Sequence, residues 1–336
     1  MKSKCAILFI ICGVLFFSQS CNKKKEDPIK FKFGQIPETL VNLYEMNGKL
    51  DENGLSEYII RGNVTIVFSN PNNQSVLEQG AITCIFDQTT GEYRSAFGMT
   101  NDGFTQNLIN KAVVQGNNVG PYRFFCKNDG FEYFMLSSEN STGNLDLFYL
   151  KNVPMIGTNY PEIQGPFPIT LLNTAANDSY LSFNNNFDTA YFSSDRDGTF
   201  DIYMHALLPV QPFLSDRSLS GQLDQPFFNS KKLDDINSNA NDMCPFFHKN
   251  VMVFASDRTD LGGFGGFDLY YSVFKNGKWS SPINFGPDIN TEFDEYMPIL
   301  GSVTDFKNSY LIFSSNRESE GKGEFNLYFT GITLPK

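Results

Sequence analysis

The sequence predicts an all-β protein, a single β-propeller of five four-stranded antiparallel blades closed by an N-terminal strand. Three observations predict it. First, one pattern recurs along the chain: a buried strand, a tight polar corner and a second strand rich in aromatic and β-branched residues. It is clearest at Val251 to Tyr271, where Val-Met-Val-Phe-Ala-Ser-Asp-Arg leads through glycines to Phe-Asp-Leu-Tyr-Tyr. Copies stand at Ala190 to Tyr203 and Leu311 to Tyr328, a weaker one at Phe134 to Tyr149 and the faintest at Val64 to Phe86. Second, each unit from the second onward opens on an Asn/Asp-rich linker, often followed by proline, as in Asn117 to Pro121, Asn241 to Pro245 and Asp294 to Pro298. Third, aromatic content is 15%, almost all Phe and Tyr, and long apolar periods of 3.6 residues are missing, which favours sheet.

The first serine position of each corner falls at Ser69, Ser137, Ser193, Ala255 and Ser314, giving steps of 68, 56, 62 and 59 residues. Such a step holds four short strands and their turns, and a four-stranded unit repeated at a nearly fixed period is a propeller blade.

In chain order, Lys2 and Lys4 precede an apolar run from Ala6 to Phe17. Twelve residues cannot span a bilayer but suit the core of a secretory signal. Ser18-Gln19-Ser20-Cys21 ends that run and resembles a bacterial lipoprotein signal, with Ser18 where Leu is usual. The resemblance implies that residues 1–20 are removed, that Cys21 is lipidated, and that Asn22 directs the protein to the outer membrane. Residues 21–28, with Lys23-Lys24-Lys25, read as a solvated tether and residues 29–336 as the propeller.

Ile29 to Phe33 alternates as a short strand. Because only Gly331 to Lys336 follow the third strand of the last unit, that blade lacks a fourth strand, and Ile29 to Phe33 is expected to complete it beside Leu327 and Tyr328. Gln35 to Asn63 is the least legible stretch, with a candidate strand at Leu40 to Met46 and hairpin-type turn signals at Asn47-Gly48 and Asn53-Gly54; the alternative to five blades is a sixth, degenerate one there. Thr100 to Asn118 reads as a polar connection. In the fourth unit, strands are expected at Cys244 to Phe247, Val251 to Ser256, Phe267 to Phe274 and Lys278 to Ile283, with a type I′ hairpin at Asn276-Gly277. Cys84, Cys126 and Cys244 remain in the body, each in an apolar segment and none at metal-site spacing, so buried free thiols are expected, the alternative being one disulfide whose pair the sequence does not choose.

The chain carries a formal charge of −11, and removal of residues 1–20 with their two lysines leaves −13. So acidic a surface repels phosphate and excludes nucleic acid as a natural partner.

Ser-Asp-Arg, the glycine-rich link, Phe-Asp-Leu-Tyr-Tyr, Gly-Lys-Trp-Ser-Ser-Pro and Asp-Ile-Asn-Thr-Glu-Phe-Asp-Glu-Tyr-Met-Pro resemble the TolB-type, WD40-like propeller repeat of bacterial envelope proteins, specifically between about Asn177 and Tyr328. The resemblance implies a lipid-anchored binding or scaffolding platform for an envelope protein or glycan, as a monomer or within a larger complex.

In a blade of strands a to d, the linker entering a and the turn leaving b lie at one end. That gathers Asp195-Arg196, Asp257-Arg258 and Asn316-Arg317 with Asp235, Asn237, Asp288, Asn290, Asp294 and Glu295 on one face, the candidate binding face. Structural roles compete for the same residues: Asp and Asn bond backbone in tight turns, and each Arg can bridge to the next blade's linker acids. No cofactor is expected; the oxygen-rich linkers leave calcium as an alternative, but no EF-hand or calcium repeat is matched. Gly262 to Gly266 has no following helix or Lys-Ser/Thr and reads as a turn.

The competing class is a glycan-active hydrolase on the same scaffold. Such enzymes place two carboxylates about 5 to 9.5 Å apart, yet the inner-strand segments Tyr122 to Phe125, Leu181 to Phe183, Pro245 to His248 and Met297 to Leu300 hold no Asp or Glu. His205 and His248 belong to different strands, and His248 reads as an exposed turn residue. A pocket with a carboxylate pair supports the hydrolase; a flat acidic mouth opposes it.

Overall fold

The computed structural model describes residues 31–70, 73–100, 103–112, 116–152, 162–211, 214–319 and 324–335. The signal, Cys21 and the tether lie outside them.

Within the compact unit Lys32–Lys336, five antiparallel sheets form five blades. The N-terminal β1 (Val41–Asn42) precedes blade 1, which comprises β2 (Ile59–Asn70), β3 (Asn73–Asp87) and β4 (Tyr93–Met99). Blade 2 is β5 (Asn118–Cys126), β6 (Phe131–Glu139), β7 (Leu145–Asn152) and β8 (Gln164–Pro168). Blade 3 is β9 (Asp178–Phe183), β10 (Thr189–Ser194), β11 (Asp201–Ala206) and β12 (Lys231–Lys232). Blade 4 is β13 (Asp242–His248), β14 (Val251–Ser256), β15 (Asp268–Lys275), β16 (Lys278–Trp279) and β17 (Ile283–Asn284). Blade 5 is β18 (Glu295–Ser302), β19 (Ser309–Ser315) and β20 (Asn326–Ile332), with β1 as its fourth strand.

The N-terminal segment therefore closes the ring, through different residues from those expected. Val41 pairs with Phe329 and Asn42 with Tyr328, so the closing strand is β1 and not Ile29 to Phe33. The alternating Ile-Lys-Phe-Lys-Phe carries a strand pattern, but which segment pairs with β20 depends on where the chain can reach; Gly34 instead bridges Phe306, and Asn42 is locked by its bonds to Glu318. Gln35 to Asn63 holds β1 and a short 3-10 turn rather than a sixth blade.

Blade 1 is the degenerate unit, with three strands. Its β2 lines the central channel with Ile66 and Val67. At the end of that strand Ser69 Oγ donates to the Asn118 carbonyl at 2.6 Å and so ties blade 1 to blade 2. The connection after β4 contains a helix, α1 (Gly103–Ala112), which buries Phe104, Leu108 and Ile109 against blades 1 and 2. A second short helix, α2 (Leu219–Leu223), lies in an insertion between β11 and β12 and packs Leu219 and Leu223 into the core of blades 2 and 3.

Apolar residues of the second and third strands fill the layers between blades: Phe254 and Tyr270 in blade 4, Phe313 and Tyr328 in blade 5, Phe192 and Tyr203 in blade 3. Each such ring contributes about 1.5–3 kcal/mol by leaving water. The type I′ turn at Asn276-Gly277 forms with both residues left-handed, at φ 54° and 77°. Cys84, Cys126 and Cys244 are buried free thiols. No helix among the described residues is long and apolar enough to cross a membrane.

Candidate functional site

The corner Ser-Ser-Asp-Arg divides its labour residue by residue. The first serine ties its blade to the next: Ser137 Oγ accepts from Tyr180 N and Ser193 Oγ from Cys244 N, both at 3.0 Å. The second serine accepts from the arginine Nε, in Ser194–Arg196, Ser256–Arg258 and Ser315–Arg317, at 2.9 to 3.1 Å. The Asp or Asn holds the linker: Asp195 accepts from the Asn177 backbone and side-chain amides, Asp257 from those of Asn241, and in blade 5 the pair is exchanged as Asn316 and Asp294. The arginine then donates to its own blade's first strand and preceding linker. Arg196 meets Asp178 at 2.6 Å and the Leu172 carbonyl, Arg258 meets Asp242 and the Ile236 carbonyl, and Arg317 meets Glu295 at 3.1 Å and the Ile289 carbonyl. Each guanidinium also sits 4.8 to 5.6 Å from two aromatic centroids of its blade.

The predicted face therefore does come together, and its polar groups are turned inward. The arginines bridge within their own blades, a correction to the expected bridge to the next blade: the tight turn aims the side chain back across the second strand. Asn237 and Asn290 are likewise occupied, each exchanging two bonds with one residue of the preceding blade, Ile202 and Leu269. Glu295 accepts from Thr291 and Ser315, and burial pushes its carboxyl above the usual range. Of the predicted face, Asp235 and Asp288 are exposed. Among the described residues no group of three or more His, Cys, Asp or Glu side chains is placed to hold a metal.

At this end the central channel is plugged. Gly120, Tyr180, Cys244 and Met297 occupy one position in four inner strands, all left-handed at φ 52° to 60°, and this bulge turns side chains onto the axis. Tyr180 of blade 3 meets Tyr296 of blade 5 edge-on at 6.0 Å, and the Tyr296 hydroxyl donates to the Met243 sulfur of blade 4 at 3.2 Å. Residues from non-adjacent blades can touch in this way only across the axis. Beyond the plug lies an apolar waist of about 70 Å³, lined by Ile66, Pro121, Leu181, Pro245 and Pro298 among others.

The waist opens, at the end away from the corners, into a cavity of about 650 Å³. One wall is aromatic: Tyr122, Phe124, Phe183 and Phe187, with Phe124 stacked on Phe187 at 4.9 Å, and Phe125 at the rim 51% exposed. Phe187 holds φ 58° in the β9–β10 turn, a strained position for an aromatic residue. The other wall carries His248 and Ser302, joined at 2.9 Å, and Asn184 and Asn185 lie between. Arg123 and Glu132 complete the lining as an ion pair at 2.8 Å. Arg123 is further fixed by Thr105, and Glu132 by Asn152. Burial, aided by the Lys249 charge, pushes His248 down to about 4, so its ring is neutral at neutral pH. His248 was expected as an exposed turn residue; β13 runs one residue further than its pattern indicated and delivers the ring into the cavity. The mouth is neither flat nor acidic, and Glu132 is its one lining carboxylate among the described residues.

No protein-family model matches the chain, and no curated protein sequence matches it. Solved structures are similar in fold. A thermostable family-43 glycoside hydrolase matches at 11% identity over 84% of this chain and 93% of its own, with a TM-score of 0.48. An exo-1,5-α-L-arabinanase from a bovine ruminal metagenomic library matches at 10% identity over 90% and 96%, with a TM-score of 0.47. TolB from Acinetobacter baumannii matches at 15% identity over 79% of this chain and 52% of its own, with a TM-score of 0.36. These neighbours, glycoside hydrolases by name, correct the expectation of a non-catalytic binding or scaffolding module. At these identities and TM-scores the likeness is one of fold alone.

Proposed function

We propose that the protein is a glycan-active propeller whose site is the mouth opposite the corner face. The observation that supports it most is the pairing of an aromatic wall with fixed polar groups in one cavity of about 650 Å³. A sugar ring has an apolar C–H face and a hydroxyl edge, and Phe187, backed by Phe124, and Phe125 can stack the first while Asn184, Asn185, His248 and Ser302 bond the second. Glycoside hydrolysis delivers a proton to the leaving oxygen and hydroxide from water to the anomeric carbon, which two carboxylates ordinarily manage. Glu132 lines the cavity, and Asp188, outside the lining but bonded to the lining residue Asn184 at 2.5 Å, is the candidate for a second carboxylate. Incubation with neutral polysaccharides should release reducing ends, and Glu132→Gln or Asp188→Asn should stop release while glycan is still bound. Failure of every glycan to bind would remove the proposal.

We also propose the lipoprotein address: removal of residues 1–20, acylation of Cys21, a tether over residues 21–28 and outer-membrane anchorage. The wild type should partition into the detergent phase and Cys21→Ser into the aqueous phase; equal partitioning sinks this address.

A further inference from the structure

We infer that the channel is a blind pocket that receives the end of a neutral glycan rather than the middle of a chain; this rests on the glycan reading above. Three observations carry it. The axis is closed beneath the mouth by side chains from three different blades, Tyr180, Met243 and Tyr296, in contact with one another. Between plug and mouth the waist holds only about 70 Å³, room for a small apolar group and not for a sugar ring. A polymer therefore cannot thread the channel, and the unit that fills the mouth has one way in and out.

Neutrality follows from the lining. Arg123 and Glu132 cancel each other at 2.8 Å, and the remaining lining residues apart from His248 are apolar, amide, hydroxyl or backbone groups. The charged groups packed around His248 are Lys249 at the rim and, across the cavity, the Arg123–Glu132 pair; with the His248 ring neutral, the lining itself, among the described residues, holds no unpaired cation for a carboxylate or sulfate. The net charge of −11 for the whole chain adds long-range repulsion of anions.

Saturation-transfer NMR of the intact chain with linear xylo- and gluco-oligosaccharides, and with oligogalacturonate of equal length, tests this. Saturation should concentrate on one terminal unit of a neutral oligosaccharide, and oligogalacturonate should bind at least about tenfold more weakly. Equal saturation of internal units, or equal binding of oligogalacturonate, would overturn the blind neutral pocket while the glycan reading stands. Absence of any glycan binding would overturn both. Phe187→Ala, in a half-buried turn at the cavity's edge, should lose the terminal saturation; a variant retaining it while folded would also count against the pocket.

Discussion

The two ends of this propeller are built on opposite rules. At the corner end, blades 3, 4 and 5 repeat one arrangement of Ser, Asp or Asn, and Arg almost atom for atom, and its polar atoms face one another. At the mouth, the equivalent turns hold unrelated residues: Phe187 in blade 3, His248 and Lys249 in blade 4, Ser302 in blade 5. Repetition marks the residues that every blade needs in order to be a blade. What a ligand can use is found where the repeat stops being a repeat.

The sharpest way to break that contrast is at Arg258, 4% exposed beside the fully buried Asp242. Arg258→Ala leaves a buried carboxylate without its partner and should cost about 3–5 kcal/mol in denaturant unfolding. If stability is unchanged and glycan binding is lost, the corner is a site after all.

The next largest effect separates blades of one kind from another. Ser256→Ala removes bonds to the Arg258 Nε and backbone amide and should cost about 1.5–3 kcal/mol. Ser138 stands at the same position in blade 2, where Asn140 replaces the arginine, and its hydroxyl is buried without a hydrogen-bond partner. Ser138→Ala should therefore leave stability unchanged or raise it. Equal costs for the two would show that the serine acts through something other than the arginine.

The mouth should respond in the opposite currency. Phe187→Ala should weaken glycan binding by about tenfold, or 1.4 kcal/mol, and lower the unfolding midpoint by less than Arg258→Ala does, because Phe187 is half-buried in a turn and leaves no buried charge unpaired. A calorimetric titration beside a thermal melt reads both.

The smallest effect is in pH. Asp201 and Asp268 begin equivalent strands, and burial raises both carboxyls above their ordinary value. A raised carboxyl favours the protonated folded state, so its contribution is present below the unfolded value near 4 and is lost as pH rises through the folded value. Asp87 in blade 1 is the reverse: bonds from Ser56, Thr89 and Thr90 hold it at about 2, so its contribution is present above about 4 and lost as pH falls toward 2. Asp268→Asn should raise the melting temperature more at pH 7 than at pH 4. A gain that is the same at both pH values would mean that burial of its charge is not what raises Asp268.

How far these features were legible depended on whether neighbours along the chain or across it decided them. The strand Val251 to Ser256 and the hairpin at Asn276-Gly277 were written locally, in apolar runs and turn chemistry. α1 was missed because Thr100 to Asn118 is polar overall, and its apolar stripe of Phe104, Leu108 and Ile109 is short. The closing role was assigned to Ile29 to Phe33 and not to the candidate strand at Leu40 to Met46, because the paired part, Val41-Asn42, is only two residues long and carries no sign of its partner. His248 and the Arg123–Glu132 pair were not gathered into a site because nothing in their spacing announces that different blades turn them toward one axis.

The sequence by itself determined the all-β class, the repeated unit and the corner motif, because each follows from patterns spanning a few residues and their repetition. Only the tertiary structure decided which end is open. Both ends receive turns from every blade, and the left-handed bulge at Gly120, Tyr180, Cys244 and Met297 closes one of them by placing side chains on the axis, where contacts between non-adjacent blades, invisible along the chain, fill the space.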